Sequence, residues 1–139
     1  MAFQHRWIKN VLEGLDTEVD EKTRIKILEN CGRKCAPQSL IKKAQTLKKQ
    51  SETTEEFLKK LSKAWKHLKI EDGHVYVEYE KCYCPLVRAY KGELSKSFCN
   101  CSRGWIRQVL ESALGKPVDV EIERTVKQGA SSCKFHVHI

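Results

Sequence analysis

The sequence predicts an α+β fold, with helices first and then a mainly antiparallel sheet interrupted by one helix. Up to about residue 70, apolar residues recur at helical spacing. After Asp72-Gly73, a turn signal, they alternate as in strands. A last helical stripe then separates one strand from two more at the C-terminus.

The first helix is carried by Phe3, Trp7, Ile8, Val11, Leu12 and Leu15. A second opens at Asp20, whose carboxylate suits an N-cap, and runs through Ile25, Leu28 and Cys31 to Cys35. Pro37 ends it and fits the first turn of a third helix, with Leu40, Ile41, Ala44 and Leu47 on one face. Ser51 or Thr53 caps a fourth, in which Phe57, Leu58, Leu61, Ala64, Trp65 and Leu68 form a stripe. Thr53 followed by Glu56 has capping-box spacing.

HVYVEYEKCYC then reads as a strand, with Val75, Val77 and Tyr79 on one face. A helix from about Ser102 to Leu114 carries Trp105, Ile106, Val109, Leu110 and Ala113. Gly115 and Pro117 stop it in the expected order. The strands VDVEIERTV and CKFHVHI close the chain around the turn KQGASS. At 139 residues this is read as one domain, 1–139. Its helical part is 1–70, and 71–139 is a strand–helix–hairpin part.

The hairpin part carries the stretch CYCPLVRAYKGELSKSFCNCSRGW, with four of the seven cysteines in two Cys-x-Cys pairs. No apolar run approaches the roughly 20 residues of a membrane span. MAFQHRWIKN lacks the apolar core of a secretory signal. These features place the chain in a reducing cytoplasm, where structural disulfides are rare, and seven thiols cannot all pair.

Cys82 and Cys84, followed by Pro85, stand where the strand must end or bulge. Cys99 and Cys101 precede or begin a helix capped by Asn100 or Ser102. Unpaired N–H groups and the positive dipole end there lower a thiol pKa, and Arg88, Arg103 and Arg107 would deepen the effect. Thiolate is what a soft metal or a nucleophilic reaction needs. Four sulfurs in two pairs could ring one zinc or hold an iron–sulfur cluster. Metal or cluster binding leads, ahead of plain structural thiols and of a reactive or redox thiol.

The expected metal ligands are therefore Cys82, Cys84, Cys99 and Cys101. Arg103 would flank them and favour thiolate, and Trp105 would wall the site. Cys31 and Cys35, one helical turn apart, are further candidate thiols, or small packing residues. Cys133 alternates with Phe135 and Val137 and reads as a core residue. His136 and His138 share the opposite, solvent-facing side with Lys134. No His lies near the cysteine motif in sequence, so no catalytic residue is assigned. A base arriving through the fold would be His74 or His67.

The formal net charge is +8. Lysines 42, 43, 48, 49, 59, 60, 63 and 66 concentrate on two successive helices. A basic helical surface can grip nucleic-acid phosphates, but lysine without interleaved aromatics reads first as a solvated face.

The segments NCGRKCA, KCYCPLV and CNCSRGW, in that order, resemble an uncharacterised prokaryotic family of small cysteine-rich proteins. The part from the last helix through VDVEIERTVKQGASSCKF resembles the 4-vinyl reductase domain, and more weakly the L-2-amino-thiazoline-4-carboxylic acid hydrolase-like proteins. The 4-vinyl reductase resemblance implies helices set against a twisted antiparallel sheet around an apolar pocket. It also implies small-molecule binding, often sensory, with cysteines as metal ligands. The expected function is thus binding of a metal or small ligand at a cysteine-lined site, zinc or iron–sulfur. The alternatives are a thiol-dependent hydrolase of the amino-thiazoline type and a nucleic-acid-binding protein.

Overall fold

The computed structural model describes residues 2–139, so Met1 of the predicted 1–139 domain lies outside it. The order is α1 (Phe3–Glu18), α2 (Glu21–Cys35), α3 (Gln38–Lys49), α4 (Thr54–Ala64), β1 (Leu68–Glu71), β2 (His74–Tyr79), α5 (Asn100–Leu114), β3 (Asp119–Arg124) and β4 (Cys133–His138). Short 3₁₀ turns, Lys96–Cys99 and Val126–Gln128, precede α5 and β4. The architecture is α+β, as the periodicity predicts. No helix among the described residues is long and apolar enough to cross a membrane.

Local chemistry sets the boundaries. The Asp20 carboxylate accepts from the Thr23 N–H at 3.1 Å and starts α2. Pro37 is the N-cap of α3. Thr53 caps α4 through the Glu56 N–H at 3.1 Å, and the Glu56 carboxylate reaches back to the Glu52 N–H at 2.9 Å. Gly115, at φ 70°, closes α5 in the left-handed conformation expected of that position.

One strand was not anticipated. The stripe read as helix through Leu68 ends at Ala64, and Leu68–Glu71 pairs antiparallel with β2. Asp72 and Gly73 both have positive φ (51° and 78°), the two-residue turn whose twist suits a hairpin. Leu68 stays in the core because it faces Val77 across this pair.

The sheet order is β1-β2-β4-β3, antiparallel throughout. Val75, Val77, Val120, Phe135 and Val137 face α3, α4 and α5 in one core with Phe57, Leu61, Ile106 and Leu110. A smaller cluster of Leu12, Leu28, Val87, Leu94, Phe98 and Cys99 lies under the long loop between β2 and α5. Burying side chains of this size stabilises the fold by about 1.5–3 kcal/mol each before entropy is counted. The cysteine motifs lie around that smaller cluster.

Candidate metal centre

The link between α2 and α5 comes first, because it decides which thiols meet. A β-carbon on Gly104 would stand 2.0 Å from the Glu29 carbonyl oxygen, and Gly32 is pressed equally hard against the backbone of Cys101. Two glycines, one on each helix, thus allow a backbone-to-backbone crossing that no larger residue admits. Cys31 and Cys35 flank Gly32 on α2, so the crossing delivers them to Cys101.

Charges lock the same crossing. Glu29 of α2 takes Arg103 at 3.0 Å and Arg107 at 3.1 Å. Arg33 reaches Glu111 at 2.9 Å, and Arg107 also meets Glu111 at 3.2 Å. The carboxylates and guanidinium groups are all largely sheltered, and their mutual bonding offsets the cost of that shelter.

The loop that brings Cys82 and Cys84 is tied down at several points. The N–H groups of Val87 and Arg88 both donate to the Cys84 carbonyl, at 3.1 and 2.8 Å, so the chain turns at Pro85. Val87 is fully buried. Gln4 holds the Leu86 carbonyl at 3.1 Å, and the Lys127 ammonium donates to the carbonyl of Tyr90. β2 ends at Tyr79, so neither cysteine of this pair is on the strand, which the sequence reading carries on to Cys84. Both pack instead beside buried Cys99.

All seven cysteines are free thiols, and they form one neighbourhood. Burial pushes the Cys99 thiol up to about 11, the nearby Thr125 hydroxyl opposes this, and Cys133, Cys82 and Cys84 push further upward. Burial pushes Cys101 up to about 12, and Cys35, Cys84, Cys31 and Cys99 add to it. Cys133 is raised by burial too, with Cys82 adding to it, while the Val126 N–H and Lys127 pull the other way. Two overlapping groups result, one around Cys99 and one around Cys101, with Cys84 in both.

These directions reverse the expectation of depressed thiol pKa values. The 3₁₀ turn at Lys96 runs without a break into α5, so the free N–H groups belong to residues before Cys99. That end is already occupied. Ser95 accepts from the Ser97 N–H, and both hydroxyls donate to Asp16, Ser97 at 2.7 Å. Neither Asn100 nor Ser102 is the cap; Cys99 holds that position without a side-chain capping bond. Arg103 and Arg107 spend their charge on Glu29 and Glu111. Arg103 is therefore a link in the helix crossing, and Lys127 is the cation that acts on the Cys133 thiol.

Trp105 stacks obliquely on Trp65, ring centres 5.5 Å apart, and packs on the main core. Its backbone N–H lies at the Gly32 contact. Cys133 keeps its predicted place on the core side, opposite Tyr79, and its sulfur accepts from the Val126 N–H at 3.3 Å. The sequence reading missed that the same side faces the other thiols. Thr125 was missed as well. Its hydroxyl is buried and makes no hydrogen bond of standard geometry, yet it lies close enough to Cys99 to favour that residue's thiolate.

The histidines proposed as bases do not reach this site in the same way. His67 sits against Tyr79 and Tyr83, with Nδ1 3.2 Å from the Glu78 carbonyl oxygen, and burial lowers its pKa. His74 lies on the outer sheet face beside Tyr76 and His136, away from Cys133. Among the lysines of α4, Lys59 and Lys60 are paired with Glu55 and Glu56.

The donor set is chemically suited to a thiophilic metal, being sulfur throughout with an orphaned hydroxyl beside it. The sulfurs are not drawn in to bonding distance of one ion. Among the described residues, the one trio of His, Cys, Asp or Glu donor atoms within 4.8 Å of one another is Glu121, His136 and His138. Cys31 and Cys35 are exposed, and Cys82, Cys84 and Cys101 half-buried.

Residues 2–139 match the model of a family of unknown function, DUF6144. The chain belongs to that family. NCGRKCA, KCYCPLV and CNCSRGW all lie within the matched residues. No curated protein and no solved structure matches the chain.

Proposed function

We propose that this DUF6144 chain binds a thiophilic metal, zinc or an iron–sulfur cluster, at the thiol neighbourhood around Cys99 and Cys101. The observation that carries the reading is the convergence of cysteines from four separate segments: α2, the loop after β2, the start of α5 and the start of β4. Free thiols usually scatter as small apolar residues. Here two helices are pressed together through paired glycines, and a long loop is pinned at several points, around the same spot.

Cys82, Cys84, Cys99 and Cys101 are the first ligands, and Cys31, Cys35 and Cys133 extend the set. When bound, the metal would supply a fixed positive charge that turns high-pKa thiols into thiolates. Thr125 and Lys127 would then stabilise the sulfur charge from one side. The resemblance to the 4-vinyl reductase domain, where cysteines are suggested as metal ligands in a small-molecule-binding module, points the same way. A hydrolase with Cys99 or Cys101 as its nucleophile is less favoured. At pH 7 a thiol of pKa about 11 is thiolate in only about one molecule in ten thousand, and nucleophilic attack requires the thiolate.

The test is anaerobic titration with cobalt(II), which reports sulfur ligation through ligand-to-metal charge-transfer absorption. The wild-type chain should develop that band to saturation at a defined stoichiometry. Cys99→Ser and Cys101→Ser should each weaken binding by tenfold or more. Absence of the band in folded wild-type protein would refute the reading.

A further inference from the structure

The outer face of the sheet, on the side away from the helices, carries a row of metal-type donors. Across the register Lys69, Tyr76, His136 and Glu121 lie side by side on β1, β2, β4 and β3. One step along, Glu71 pairs with His74 and His138 with Asp119. Three imidazoles and several carboxylates therefore share one face.

We infer that Glu121, His136 and His138 form a second metal site, for a borderline divalent cation such as zinc. Their donor atoms already lie within 4.8 Å of one another, and His138 Nε2 is 3.3 Å from Glu121 Oε2. No rearrangement of the backbone is needed to bring them to an ion. His-x-His on one strand puts both rings on the same side, their centres 4.1 Å apart, and the neighbouring strand adds the carboxylate.

The surroundings orient the rings. Tyr76 stacks on His136 with centres 4.8 Å apart, Lys134 lies over the other ring of that pair at 4.2 Å, and Glu123 Oε1 is 3.9 Å from His136 Nδ1. The stacking on Tyr76 restrains the orientation of the His136 ring, and the Glu123 carboxylate places negative charge near it. His74, with its ring 5.3 Å from His136, stands ready as a further donor. The rings border an open groove of about 550 Å³, lined from α4 by Thr54 and Glu55. Imidazole and carboxylate ligands suit zinc and its first-row neighbours. Three protein ligands on an open face leave coordination positions for water or an added ligand. This site does not depend on the thiol reading.

Zinc titration of the full chain, followed by NMR of the histidine ring nitrogens, tests the inference. Saturation should give the His136 and His138 rings a distinct zinc-bound set of signals. Glu121→Gln should weaken that transition by tenfold or more. His136→Ala combined with His138→Ala should lower the zinc stoichiometry by about one, while the cobalt–thiolate absorption keeps its intensity. All three side chains are outside the core, so circular dichroism should show both variants folded. Unmoved His136 and His138 signals at saturating zinc would overturn the inference, as would an unchanged stoichiometry in the folded double variant.

Discussion

A β-carbon added to Gly32 would stand 1.7 Å from the carbonyl oxygen of Cys101. Real β-carbons essentially never come so close, and the obstacle is backbone, which cannot swing aside. The two helices must part to admit even a methyl group. Gly32→Ala should therefore lower stability by about 3 kcal/mol, the upper part of the range for overpacking. Gly14→Ala in α1, with nothing within 4 Å, should be neutral or stabilising by up to about 1 kcal/mol. Urea unfolding of the two variants measures the contrast. Gly32→Ala should also weaken metal binding, because it pulls Cys31 and Cys35 away from Cys101.

Thiol labelling should proceed in two classes. Cys31 and Cys35 are exposed, whereas Cys99 is buried and burial holds it and Cys101 protonated. At pH 7.5, mass-spectrometric tracking of alkylation in the metal-free reduced chain should show α2 modified first and Cys99 and Cys101 last. Fast, early modification of Cys101 would contradict the account of its burial.

Metal uptake should release protons. Cys99 and Cys101 rise to about 11 and 12, so both are protonated at neutral pH and must lose their protons to ligate. Calorimetry at pH 7 in buffers of different ionisation enthalpy should return about one proton per thiol engaged, at least two. Affinity should rise with pH from 6 to 8 for the same reason.

Glu111 gives the helix crossing a pH dependence. Burial alone would raise its pKa, but Arg33, the Val118 N–H and Arg107 together lower it below 4.5. A depressed carboxylate favours the folded state when ionised, so its contribution is full above about pH 4.5 and is lost as pH falls through the folded value. Glu111→Gln should cost about 1 kcal/mol at pH 7, a figure reduced for partial exposure. The gap from wild type should narrow as unfolding is measured at successively lower pH.

The helices were legible because their apolar periods and caps, such as Asp20 and Thr53, are local signals. β1 was not, because Trp65 and Leu68 continue the stripe of α4 while the chain has already left the helix. The Cys-x-Cys pairs were visible as chemistry, but not their surroundings. Whether Arg103 serves Cys101 or Glu29 depends on a helix crossing set by two distant glycines, and no spacing reveals that. His136 and His138 were legible as a pair on one face. Their third partner, Glu121, comes from cross-strand register, which a single strand's alternation does not contain.

The central claim is that the converging thiols hold a metal, and thiol accounting under zinc tests it most directly. Oxygen-free protein carrying His136→Ala and His138→Ala, saturated with zinc and freed of excess, would be analysed for metal and titrated for reactive thiols before and after denaturation with chelator. The account predicts at least one zinc per chain, four or more of the seven thiols protected in the folded protein, and all seven released on denaturation with chelator. Folded, zinc-free protein whose thiol reactivity is unchanged by zinc would contradict it.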